Sequence, residues 1–508
     1  MKALYKSAII VTIFSVAERF LGFIYRIFLS RNLGAEGVGV YQVALSVFGV
    51  LITITASGIP ITVSRLIIKN KATNNKNSVN QTISSGIFMA IAFSLPITLI
   101  FVSLEKKLEF VFSDTRCLQV LLIIMPTLVI NSIYAVIRGS FWGDKSFFTY
   151  ALIEFLEELV MLVCGIMLIL HAKDTFDGVK KASVAVLVSY LFSFTLSIIV
   201  LAFKKVKPAS PFPQLKPLIS SAMPITAMRT TTSIISSLIA IILPARLIAG
   251  GLSSASAMAS YGEVSGMAMP LLFMPSSLIG SIALVLVPEL SESFYKGKNK
   301  ALAINVQKAL KYSILIACLI IPIFISLGPL IGETVYSNLN AGKYLSYSAV
   351  MMLPMSINLI TTSMLNSINC EKKTLLYYFI GESGLILSIY FLPKFLGANA
   401  LILGYYFSFT ISSILNLILL EKKCKEKIGY KKFLIFGSVF ILPSSLLGVF
   451  LKNILILKLP NILVLAICCL VVVLFNLLFY FVFDFIDIKM FFKKRNFAKR
   501  NYQNATHH

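Results

Sequence analysis

Residues 7–29 read SAIIVTIFSVAERFLGFIYRIFL. About 20 apolar residues suffice to cross the hydrocarbon core of a bilayer as a helix, and here only Glu18, Arg19 and Arg26 interrupt such a run. A charge at that depth is unfavourable, by roughly 2.5–3.5 kcal/mol for an arginine on insertion scales, unless it faces protein or water. The opening resembles a secretory signal, but Glu18 breaks the apolar run and no small-residue cleavage site follows. It therefore reads as a first membrane helix with a charged face turned away from lipid.

The rest of the chain repeats the pattern. In 508 residues, 57% are hydrophobic and 13% charged, with a mean hydropathy of +0.88. That composition is too apolar for a soluble globule and excludes most aqueous catalysis, so the chain is not read as an enzyme. Windows of apolar sequence recur with short gaps and give roughly 14 spans, hence an all-α polytopic membrane protein. The net charge of +25 needs a different explanation from nucleic-acid binding, because no stretch is polar enough to build a soluble basic face.

Topology supplies it. With the amino terminus in the cytoplasm, about 29 Lys/Arg fall inside, about 12 outside and about five within helices, the direction of the positive-inside rule. Both termini are then cytoplasmic in a bacterial cell membrane. The densest runs, KNKATNNK (69–76), KKVK (204–207), EKKCKEKIGYKK (421–432) and KKRNFAKR (493–500), act as retention signals with attraction to anionic lipid headgroups. The seven cysteines show no zinc or redox spacing, and His171 is the only histidine away from the terminal THH, so metal and histidine chemistry have little material. No cofactor is expected, and nothing fixes an oligomeric state.

Sliding the chain by 228 residues lays 126–154 on 354–382 and matches Pro126 to Pro354, Lys145 to Lys373, Tyr150 to Tyr378 and Glu154 to Glu382. A weaker echo links GIPITVSRL (58–66) with LVPELSES (286–293). The repeat implies two parallel six-helix lobes, 1–203 and 217–420, joined by the Lys/Pro-rich linker 204–216. A loop at 421–431 leads to two further helices and a basic tail in 432–508. Transporter cargo usually binds near the midplane between such repeats.

Arg19 and Arg26 lie two helical turns apart, so they share a face with Gly22 between them. Arg229 follows Pro224 in the seventh span. Guanidinium groups facing a cleft suit phosphate, which they bind bidentately. Two readings compete. In the first, Arg19, Arg26 and Arg229 form a cationic substrate cavity. In the second they are structural ion pairs: Glu154, Glu157 and Glu158 share one face of the fifth span and are available to Arg19 or Arg26, while Glu263 or Glu382 is available to Arg229. Glu18 points about 100° from Arg19 and does not neutralise it. A third role for Glu154 and Glu382 is Na⁺ or H⁺ coupling. Arg65 and Arg138, near helix ends, are read as snorkelling.

Residues 19–67, with Arg19, Leu21-Gly22, Arg26, GAEGVGVYQ and GIPITVSRL, resemble the opening of the stage V sporulation protein B family. That family lies within the superfamily of polysaccharide exporters, lipid flippases and multidrug transporters, and the likeness runs diffusely over the chain. It implies a V-shaped pair of six-helix lobes plus two helices that moves a lipid-linked saccharide by alternating access. It further implies an undecaprenyl-pyrophosphate cargo of the spore-cortex or peptidoglycan type. Arg19 and Arg26 match arginines that flank Leu-Gly in lipid II flippase relatives, with Arg26 one position further along. Those relatives carry another cavity arginine in span eight, which the region Met267–Pro270 lacks, and Arg229 is the candidate substitute. The competing function is an ion-coupled drug or small-cation antiporter, which needs carboxylates rather than arginines to dominate the cavity. A membrane glycosyltransferase would need a sizeable outer loop, and the outer loops are short.

Overall fold

A computed structural model describes residues 2–73, 75–204, 206–426 and 428–483. The basic run 493–500 lies outside the described residues. Every regular element among the described residues is a helix, and the chain divides into two compact units, Met1–Met267 with Ile389–Ala400, and Ala268–Ser388 with Leu401–His508.

The first unit is built from α1 (Lys2–Ala56), α2 (Ile59–Ala72), α3 (Lys76–Ser103), α4 (Glu105–Leu108), α5 (Thr115–Ile124), α6 (Pro126–Gly143), α7 (Phe147–Leu170), α8 (Thr175–Phe203), α9 (Phe212–Ala249) and α10 (Ser254–Tyr261). A π-helical segment, Gly262–Ala268, continues α10. At 1.5 Å per residue, α1 would be about 80 Å long, more than twice the hydrocarbon thickness. It is broken at Gly34, whose φ of 64° is open to glycine but strained for other residues. One core of this unit joins α2, α3, α6 and α9 through Ile59, Val63, Ile67, Ala90, Val136 and Leu218.

The second unit holds α11 (Met269–Phe273), α12 (Ser276–Tyr295), α13 (Asn299–Tyr336), α14 (Leu339–Ser348), α15 (Met352–Ser367), α16 (Glu371–Phe391), α18 (Asn399–Cys424), α19 (Tyr430–Val439), α20 (Ile441–Leu455) and α21 (Asn461–Val482), whereas the short α17 (Pro393–Leu396) packs on α9 in the first. Here α13 is the central post: Leu302, Val306, Leu310 and Ile314 pack with Ile360, Met364, Leu420 and Tyr480.

Ten helices are long and apolar enough to cross a membrane, eleven when the 43° bent pair α5–α6 counts as one span, against about 14 expected. The difference lies in particular places. The first two expected spans run together as one 62-residue passage, Val11–Ala72. The fifth, now α7, carries three glutamates, and the eighth is split among α10, the π-helical segment, α11 and α12. Large apolar side chains remain exposed along α1 (Ile13, Val16, Phe20) and along α20 and α21 (Leu442, Leu446, Phe450, Leu470, Leu474). Each would cost about 1.5–3 kcal/mol if left in water, and lipid removes that cost. The chain is a multi-pass membrane protein.

The repeat appears in the backbone with a different register. In the α6–α7 turn Lys145 has φ 58°, and the Ser146 amide donates to the Phe141 carbonyl at 2.8 Å. In the α15–α16 turn Asn369 has φ 58°, and the Cys370 amide donates to Leu365 at 3.0 Å. These equivalent turns are 224 residues apart, not 228. A slip of four residues rotates a helix face by only about 40°, so apolar matching barely registers it. In the structural register Glu158, not Glu154, corresponds to Glu382.

Candidate functional site

The α1 charges meet α7 inside the first unit. Gly22 lacks the Cβ that would stand 2.9 Å from Glu158 Oε1, so the Glu158 carboxylate rests in the notch on the face shared by Arg19 and Arg26. Arg19 is exposed and belongs to none of the ion pairs found among the described residues. Arg26 is half-buried, and its Nη1 donates to the Gly266 carbonyl at 3.0 Å. The π-helical segment explains that bond, since widening the helix turns a carbonyl out of the intrahelical ladder. Glu18 is half-buried, with Glu154 and Glu158 as its charged neighbours across α7 and Arg19 beside it.

Glu154 is taken by another arginine. Arg138 Nη1 lies 3.0 Å from Glu154 Oε1, and the guanidinium sits 5.7 Å from the Tyr134 ring centroid and 5.8 Å from that of Trp142. This corrects the expectation that Arg138 snorkels: it points inward from α6 because α7 offers a carboxylate, and pairing inside the protein replaces the lost hydration. Glu157 is half-buried beside Ser193 of α8, and its Oε2 is buried without a hydrogen-bond partner.

The other predicted residues lie apart from this cluster. Arg229 is exposed on α9, and its Nη1 reaches the Ser57 carbonyl, beyond the second passage of α1, at a long 3.4 Å. Glu263 is buried in the π-helical segment. Glu382, in the second unit, is buried and accepts a 3.1 Å hydrogen bond from Ser408 Oγ.

Where the first unit has Tyr134 and Arg138, the 224-residue register puts Asn358 and Thr362. These share a neutral network in which Asn416 Nδ2 donates to both at 3.0 Å. The related halves therefore differ in chemistry: charged around α7 in the first unit, amide and hydroxyl around α15 in the second.

Two polar clasps at helix ends went unrecognised in the sequence. Asp144 accepts from Lys71 at 2.7 Å and from Lys204 at 2.9 Å, and Lys204 also donates to Ser146 Oγ. Partial burial pushes its carboxyl up, but the two lysines outweigh burial and hold it below the usual range. Arg116 pairs with Asp114 at 2.7 Å and Glu36 at 2.6 Å, while Ser254 donates to Asp114. Burial again pushes Asp114 up, and the Arg116 hydrogen bonds overcome it. Close backbone contact joins the same elements: a Cβ on Gly39 would overlap the Met258 carbonyl, and one on Gly262 the Ala35 carbonyl.

Apolar surface, interrupted helices and a charged interior cluster define a polytopic membrane protein of the transporter type. The family model described as "Polysaccharide biosynthesis protein" matches residues 4–294, more than half the chain, and the chain belongs to that family. It is 24% identical over 456 residues to the stage V sporulation protein B of Bacillus subtilis (strain 168), covering 86% of this chain and 87% of that protein. It is 22% identical to the lipid II flippase MurJ of the same organism, covering 88% of each. Among solved structures, a lipid II flippase MurJ in an inward closed conformation superposes with a TM-score of 0.70 at 17% identity, over 93% of this chain and 99% of that one. An inward-facing multidrug resistance MATE family transporter of the MOP superfamily gives 0.67 at 14% identity, over 82% and 96%. These likenesses show the shared fold.

Proposed function

We propose that the protein is a flippase that carries a lipid-linked saccharide of the undecaprenyl-pyrophosphate type across the cell membrane by alternating access, with Arg19 and Arg26 receiving the pyrophosphate. The observation that carries this is the exposed Arg19 guanidinium two turns from Arg26 on one face of α1. A diphosphate with attached sugar cannot cross about 30 Å of hydrocarbon unaided, and fixed guanidinium groups replace its hydration. The curated relatives, one of them a lipid II flippase, support the reading, and a spore-cortex or peptidoglycan precursor is the cargo it favours. Arg229 is a secondary phosphate contact. The six-helix division at 204–216 and cytoplasmic termini belong to the same proposal.

A second reading is an ion-coupled antiporter of drugs or small cations, favoured by one observation: Glu18, Glu157 and Glu158 place carboxylates in the same unit. Reconstitution into liposomes separates the two. The flippase translocates a fluorescent lipid-linked disaccharide; ion-driven efflux of a lipophilic cation without saccharide translocation establishes the antiporter instead.

A further inference from the structure

The Arg138 ion pair is incomplete as a structural bridge. Arg138 engages Glu154 through Nη1, while its Nε is buried with no hydrogen-bond partner. The hydroxyl of Tyr134, only 2% exposed, is also unpartnered, as is Glu157 Oε2. A purely structural pair would be expected to satisfy its donors, because each unpaired buried polar group is unfavourable. Beside these groups stand Trp142, the one tryptophan of the chain, and Tyr150, whose rings meet edge to face at 5.4 Å. Trp142 and Tyr150 are half-buried, and the ion pair itself stays about a quarter exposed, at 26% for Arg138 and 22% for Glu154.

We infer that Arg138, Glu154 and Trp142, with the Tyr134 hydroxyl, form a subsite for a neutral sugar ring of the cargo. A ring hydroxyl can accept from Arg138 Nε and donate to Glu154, and the apolar face of a sugar stacks on an indole. The carboxylates Glu154 and Glu157 repel a pyrophosphate, so charge sorts the headgroup, with phosphate to Arg19 and sugar to Arg138. No new bond is made or broken. The subsite rests on the flippase reading and deepens it by assigning the saccharide end.

Because Trp142 is the sole tryptophan, its emission reports on this place directly. Full-length protein in lipid nanodiscs is titrated with a short-chain polyprenyl pyrophosphate and with the same lipid bearing N-acetylglucosamine. The sugar-bearing probe should shift and quench Trp142 emission, and the bare lipid should not. Arg138→Lys and Glu154→Gln should each weaken the sugar-bearing probe at least tenfold while leaving the bare lipid's affinity, read by competition, unchanged. Equal emission changes with both probes, or wild-type affinity for the sugar-bearing probe in both variants, overturns the subsite and leaves the flippase reading intact. Binding of neither probe overturns both. The wild-type comparison needs no variant to fold.

Discussion

The Glu158 carboxylate occupies the space left by the missing side chain of Gly22, on the α1 face between Arg19 and Arg26. A buried negative group at that point draws the arginines' charge inward while leaving Arg19 exposed. This is a setting in which an arriving phosphate competes with a carboxylate already present. Gly22→Ala requires only the end of a flexible side chain to move, so its thermal midpoint in detergent should stay close to wild type. Gly22→Val should cost about 1–3 kcal/mol through overpacking and lower saccharide translocation, checked by melting and transport on the same preparation.

Gly39 and Gly262 present a harsher case. Added Cβ atoms would meet main-chain carbonyls of Met258 and Ala35, which cannot rotate aside. Gly39→Ala and Gly262→Ala should each destabilise by about 1–3 kcal/mol, more than Gly22→Ala, in thermal unfolding. Equal melting of all three variants would show that α1 and α10 do not pack this closely.

The Asp144 clasp should be pH-dependent. Its carboxyl is held below the ordinary range, so its contribution is present above the unfolded value, about 4, and is lost as pH falls through the lower folded value. Because the partners are partly exposed, the whole effect should stay near 1 kcal/mol. Asp144→Asn should melt below wild type at pH 7, and the gap should close below about pH 4.

Much of this was legible in the sequence, and the misses have physical causes. Hydropathy reveals a span because every lipid-facing position must be apolar, which is why α3, α8 and α13 stand out. α7 passes the same test less cleanly because Glu154, Glu157 and Glu158 face protein. Arg138 looked like a helix-end charge until α7 was seen to place Glu154 opposite it, a contact across 16 residues that no local pattern encodes. The repeat was visible, but its register was not, since a four-residue slip keeps the apolar face almost in phase. The π-helical segment that holds Arg26 through Gly266 leaves no mark in composition.

The central claim is that Arg19 and Arg26 receive the cargo's pyrophosphate. A charge-assisted hydrogen bond contributes about 1.5–3 kcal/mol, so loss of either arginine should slow translocation roughly 10- to 100-fold. The direct measurement is the initial rate of lipid-linked disaccharide translocation in liposomes containing equal amounts of wild type, Arg19→Ala or Arg26→Ala. The account predicts that loss in both variants; wild-type rates in both would contradict it.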